Sequence, residues 1–207
     1  MWGLVQDGSI TKIINKPKGM VIGDTRHSRK IFELWSEEEL NNVGLYSVIF
    51  DNSNKRDEEY YNNTNQSFTF AGGVVTASYG TATPKLLEDR NEVDEAGEPL
   101  LDDNGDQIVT KGLKSQKKDI IKKQASGLLT PTDWYVLKAT DVESYSVPSA
   151  VATFRTNVRT RSNEMETAID NASDVDALKA LYEYVNTGTE ENPVMERPLG
   201  EWPVLEV

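Results

Sequence analysis

Cysteine is absent, and histidine occurs once, as His27. The first absence excludes disulfides, thiolate metal sites and cysteine nucleophiles. The second excludes multi-histidine metal sites and ties any histidine-based triad to one ring. Positive charge is in deficit: 22 Lys and Arg face 34 Asp and Glu, for a formal charge of −12. A chain of this sign has no general attraction for phosphate backbones, so nucleic acid is not an expected partner. No run approaches the roughly 20 apolar residues that cross a bilayer. The opening Met1–Asp7 lacks the basic-then-apolar order of a secretory signal, so a membrane is not expected either. Lack of cysteine fits a reducing compartment. Apolar residues make up 37% of the chain, below the roughly 45–50% common in globular proteins. A thin core is expected, with partners supplying some of the missing burial.

The acidic excess is concentrated. Residues 1–87 carry nine basic and ten acidic side chains, 88–110 carry one and nine, and 111–207 carry twelve and fifteen. This shift divides the chain into a strand-rich domain 1–87, an acidic arm or linker 88–110, a helical domain 111–185 and an extended tail 186–207. The expected fold class is α+β.

In the first stretch, Trp2–Gln6 and Ser9–Ile14 flank Asp7-Gly8, a pair suited to a tight hairpin turn. Met20–Gly23, Leu45–Phe50 and Val74–Tyr79 read as further strands, and Phe68 and Phe70 follow a period of two. Gly72-Gly73 reads as a hairpin turn. Ser36 and Glu39 have the spacing of a capping box, predicting a short helix that stops at Gly44. His27 is expected in an exposed turn.

The middle stretch repeats. Val93–Leu100 and Leu101–Ile108 align as apolar, Asp, acid, turn-former, Gly, acid, any, apolar. In the last stretch Leu113, Ile120, Ile121, Gln124 and Leu128 mark one side of a lysine-rich helix, whose lysines are expected on a solvated face. Pro148 opens a long helix with a stripe of Val151, Phe154, Val158, Arg161, Met165 and Ala168. The stripe has coiled-coil spacing, but packing within the chain against the 113–128 and 175–185 helices is the preferred reading. Arg161 interrupts it, which suggests a partner carboxylate. Ser173 is placed to cap a third helix with a face of Val175, Leu178, Tyr182 and Val185.

Candidate chemistry is sparse. Asp102, Asn104 and Asp106 alternate like calcium ligands, but Gln107 and Leu113 stand where a calcium loop needs Gly and Glu. Glu37, Glu38 and Glu39 are explained by a helix start. Tyr60, Tyr61, Phe68 and Phe70 suit a sheet core better than a stacking platform for sugars. No catalytic residue, metal site or cofactor is expected.

One resemblance spans about half of the chain. Leu128-Leu129-Thr130-Pro131-Thr132-Asp133-Trp134, then Pro148, Phe154-Arg155-Thr156-Asn157-Val158-Arg159 and a late Trp202-Pro203 resemble tail-fibre assembly and tail-fibre-associated proteins of tailed bacteriophages. The opening is similar to small phage tail proteins at Met1-Trp2, Asp7-Gly8, Ile31-Phe32, Trp35-Ser36, Glu39-Leu40, Val43–Tyr46 and Tyr60-Tyr61. The sequence departs from the family in having Phe154 where tyrosine is expected, and in a further helix and tail. The resemblance implies a non-enzymatic virion protein at the tail fibre or baseplate, present in the host cytoplasm during assembly. Its implied partners are other tail, fibre or baseplate proteins, or further copies of itself. A transient fibre-assembly chaperone is the alternative, and a carbohydrate-binding module a third. Trp134, Phe154, Arg161 and Trp202 are the expected partner contacts, the three aromatics as exposed patches that assembly buries.

Overall fold

The computed structural model describes residues 1–64 and 66–206. The chain is α+β and divides into two compact units, Met1–Thr83 and Pro84–Val207. The acidic stretch and the tail both fall in the second unit.

The first unit is built on β1 (Trp2–Gln6), β2 (Ser9–Ile14), β3 (Met20–Ile22), β4 (Thr25–His27), α1 (Ile31–Leu34), α2 (Glu37–Asn42), β5 (Leu45–Asp51), β6 (Tyr61–Asn62), β7 (Ser67–Ala71) and β8 (Val74–Ser78). Its main sheet runs β2-β1-β5-β8-β7. Neighbours are antiparallel except β5 and β8, which are parallel. The turns obey local chemistry: Asp7-Gly8 and Gly72-Gly73 all take positive φ, as tight hairpins require. Ser36 caps α2 by accepting from the Glu39 amide, and Glu39 accepts from the Ser36 amide at 2.7 Å. Gly44 follows at φ +81, where a Cβ would strike the Val5 carbonyl oxygen. Only glycine lets the chain turn there and still bond Val5 N–H to its own carbonyl at 2.8 Å.

Leu4, Ile14, Met20, Ile31, Leu40 and Leu45 form this unit's core, flanked by Trp2, Phe32, Trp35 and Val43. Tyr60 and Tyr61 are buried, and the Arg56 guanidinium lies 3.9 Å from the Tyr61 ring centre. His27 departs from its expected place. It ends β4, half-buried, with its ring edge-on to Trp35 at 5.4 Å.

β9 (Thr83–Pro84) leads into the second unit, which contains β10 (Arg90–Asn91), β11 (Val109–Thr110), α3 (Leu113–Leu129), a 3-10 turn Thr130–Thr132, α4 (Asp133–Asp141), α5 (Ser149–Asp170), α6 (Val175–Ala180), β12 (Val185–Asn186) and β13 (Met195–Glu196). α3 and α5 pack antiparallel: Lys118 meets Asp170, Lys122 meets Glu166, and Ala125 packs with Phe154 and Val158. Leu128, Leu129, Trp202 and Leu205 cover that end.

Several expected faces shift. On α3 the buried residues are Leu113, Lys114, Lys117, Ile121 and Ala125, while Ile120 is exposed. Two lysines thus leave the solvated face. Lys114 pairs with Glu88 and donates to the Asp170 carbonyl at 2.9 Å. The Lys117 ammonium lies 4.5 Å from the Tyr182 ring centre. The buried line of α5 is Val151, Phe154, Arg155, Val158, Ser162, Met165 and Ile169. Ser162, not Arg161, holds the seam, and the partner helix is the chain's own α3. Asp174, not Ser173, caps α6, accepting from the Ala177 amide at 2.8 Å. Val185 lies beyond α6, exposed in the β12–β13 hairpin. The tail is extended only in part: it opens with that hairpin and then buries Leu199, whose amide donates to the Leu181 carbonyl.

Candidate functional site

Four of the first five residues of α4 are apolar or aromatic: Trp134, Tyr135, Val136 and Leu137 follow Asp133. On a helix, four successive residues point in four directions, about 100° apart. Packing one side of such a helix leaves the others in water. α4 accordingly buries no residue: Tyr135 is half-buried, whereas Trp134, Val136 and Leu137 are 50, 40 and 66% exposed. The Trp134 and Tyr135 rings lie 3.7 Å apart, and Lys138 reaches the Tyr145 ring at 4.3 Å.

The exposed helix is held firmly at its start. Pro131 stands inside the 3-10 turn that joins α3 to α4 with no loop between them. Arg155, buried on α5, donates to the Leu129 carbonyl at 3.0 Å and to Thr132 Oγ1 at 2.6 Å. The same guanidinium pairs with Asp133 at 2.8 Å, and Thr132 Oγ1 donates to the Leu129 carbonyl. One charged group therefore satisfies the end of α3, the turn and the first residue of α4. All three acceptors lie on one nitrogen, Nη1, whose two N–H donors they share. The result is an apolar surface on a rigid base, the arrangement that lowers the ordering cost of association.

The other expected contact residues lie elsewhere. Phe154 is 7% exposed and belongs to the α3–α5 core. It is not a surface patch, because a large aromatic facing Ala125 buries more apolar area inward than any outward rotamer. Trp202 is half-buried against that core, and its indole N–H donates to Gln124 at 3.0 Å. Arg161 is half-exposed and pairs with Glu164 of its own helix at 2.9 Å. Of the four, Trp134 alone is exposed, and it does not form one site with the other three. What the sequence missed is the anchor: Arg155 stands beside Phe154 in the motif, but only the fold reveals what it holds.

Among the described residues, no three His, Asp or Glu side chains are grouped to hold a metal ion. Two arm acids serve the backbone instead. Asp94 Oδ1 accepts from the amides of Ala96 and Glu98, and Asp102 Oδ1 from those of Asn104 and Asp106. These amides hold the Asp102 carboxyl below its ordinary range, first through Asp106. Burial of Tyr60 and Tyr61 removes both from any exposed stacking platform. No helix of the described residues is long and apolar enough to cross a membrane.

Comparison with protein-family models, curated proteins and solved structures finds no match to this chain.

Proposed function

We propose that the protein is a non-enzymatic tail protein of a tailed bacteriophage, a virion component at the tail fibre or baseplate that attaches neighbouring chains through protein–protein contact. The observation that carries the reading is α4: a helix with Trp134, Val136 and Leu137 largely in water on a base fixed by Arg155. Folding of this chain does not account for that exposure, whereas burial against a partner does. The sequence resemblance names the kind of partner: a tail, fibre or baseplate chain.

The test is made on purified particles of the phage that encodes the chain. The protein is expected in the particles, and Trp134→Ala with Leu137→Ser is expected to strip it from them while leaving its own fold intact. Absence both from particles and from lysate complexes with the fibre protein refutes the proposal. Presence with fibre protein in the lysate, combined with absence from particles, identifies the transient assembly chaperone instead.

A further inference from the structure

The acidic stretch is neither a simple hairpin nor a linker. Its octet repeat places Glu92, Leu100 and Ile108 at equivalent positions, and these three close a ring of backbone bonds. Leu100 N–H donates to Glu92, Ile108 N–H to Leu100, and Glu92 N–H to Ile108, all at 2.8–2.9 Å. The Gln107 amide nitrogen lies among the three carbonyls and donates to them, at 2.7 Å to Glu92, 3.1 Å to Leu100 and 3.0 Å to Ile108. Each octet turns on a glycine at φ +87, Gly97 or Gly105, inside a loop closed by its own aspartate. The arm is thus a small ordered tripod with its polar backbone satisfied at the centre.

Its apolar side chains do not share in that satisfaction. Val93, Leu100, Leu101, Ile108 and Val109 are between 41 and 56% exposed. An ordered element that leaves five large apolar side chains this open is held by backbone bonds, not by a core of its own. Residues 90–110 carry seven carboxylates and a single arginine. A surface of this charge repels polyanions, which excludes nucleic acid and anionic lipid as its cover.

We infer that the tripod of residues 90–110 is a docking surface for a basic protein segment whose lysines or arginines flank apolar side chains. Charge complementarity fixes that chemistry. A second copy of this chain is opposed by like charge. Its formal charge is −12, and along α3 Lys111, Lys114, Lys118 and Lys122 are already paired with Asp119, Glu88, Asp170 and Glu166. The inference stands apart from the phage reading, since it depends on this surface alone.

The test uses the full chain and three labelled peptides, alternating lysine with leucine, lysine with serine, and glutamate with leucine. The lysine–leucine peptide is expected to bind most tightly, to shift the amide resonances of residues 90–110, and to weaken as salt rises. Val93→Ser with Leu101→Ser is expected to weaken it by about ten-fold. Retention of the 90–110 amide pattern in that variant shows that the tripod still forms. Failure of the lysine–leucine peptide to bind, equal binding of the lysine–serine peptide, or unchanged binding by the intact variant overturns the inference. So does a concentration-dependent dimer that Leu101→Ser abolishes, because the partner would then be a second copy.

Discussion

Gly112 is the N-cap of α3 and sits at φ −75, ψ 173, a conformation open to every residue. By backbone entropy alone, Gly112→Ala stabilises by about 0.4–1 kcal/mol, because alanine has fewer unfolded conformations to lose. The fold reverses that sign. A Cβ at 112 would lie 2.5 Å from the Leu87 carbonyl oxygen and closer still to the Glu88 carbonyl. Both obstacles are backbone, so no side chain can swing aside; residues 86–89 must move. That segment is tied to α3 by Leu113 N–H to the Leu86 carbonyl, Lys114 N–H to the Leu87 carbonyl, and Asp89 accepting from the Gly112 amide and Ser115 Oγ. Overpacking costs about 1–3 kcal/mol, and each displaced bond adds about 0.5–1.5 kcal/mol. With two bonds disturbed and the entropic gain subtracted, Gly112→Ala is expected to destabilise by about 1–6 kcal/mol. Gly127 is the internal control: it lies inside α3 with nothing within 4 Å of an added Cβ. Gly127→Ala is expected to stabilise by about 0.5–1 kcal/mol. Urea unfolding followed by far-ultraviolet circular dichroism reads both, since the longer helices all lie in the second unit. A neutral or stabilising Gly112→Ala would show that residues 86–89 do not seat against the start of α3.

Two further perturbations separate the anchors. Arg155→Met is expected to cost about 2–3 kcal/mol in urea unfolding and to loosen the amides of α4, because it removes two charge-assisted bonds and leaves the Leu129 carbonyl and Thr132 hydroxyl only each other. Asp133→Asn removes only the half-exposed end of the same network and should cost less than about 1 kcal/mol. Equal losses would show that the ion pair, not the buried bonds, holds the turn. Acid should weaken the second unit through Asp89, whose carboxyl lies below its ordinary 3.8, first because it accepts from the Gly112 amide and next from Ser115. A lowered folded value stabilises above the unfolded one, so this contribution is present at neutral pH and declines from near 3.8 downward. Lys111 acts in the opposite sense: its bond to Asp119 raises its value above 10.5, and that contribution is lost as pH rises through the raised value. Unfolding midpoints measured against pH should show Asp89→Asn flattening the acid limb alone; an unchanged acid limb would remove Asp89 from this role.

Local chemistry was legible in the sequence wherever a residue acts on its immediate neighbours. The Asp7-Gly8 and Gly72-Gly73 turns, the Ser36–Glu39 capping box and the Pro148 helix start are all settled within a few residues of chain. The α+β order follows from the same signals, since periodicities of two and 3.6 are properties of short windows. Which side of a helix faces inward was not legible to better than one position. Ser162 rather than Arg161 lies on the α5 seam, and Lys114 and Lys117 are buried, because the available partners lie far along the chain: Glu88 for Lys114 and Tyr182 for Lys117. The same holds for the surface that matters most. Composition shows Trp134 and its apolar neighbours, but only tertiary packing brings Arg155 under the turn and leaves α4 uncovered. Repetition of the octets is likewise visible in the letters, whereas the ring of Glu92, Leu100 and Ile108 closed on Gln107 exists only in three dimensions. Burial and long-range bonding depend on what the rest of the chain brings near a residue, and no local window contains that information.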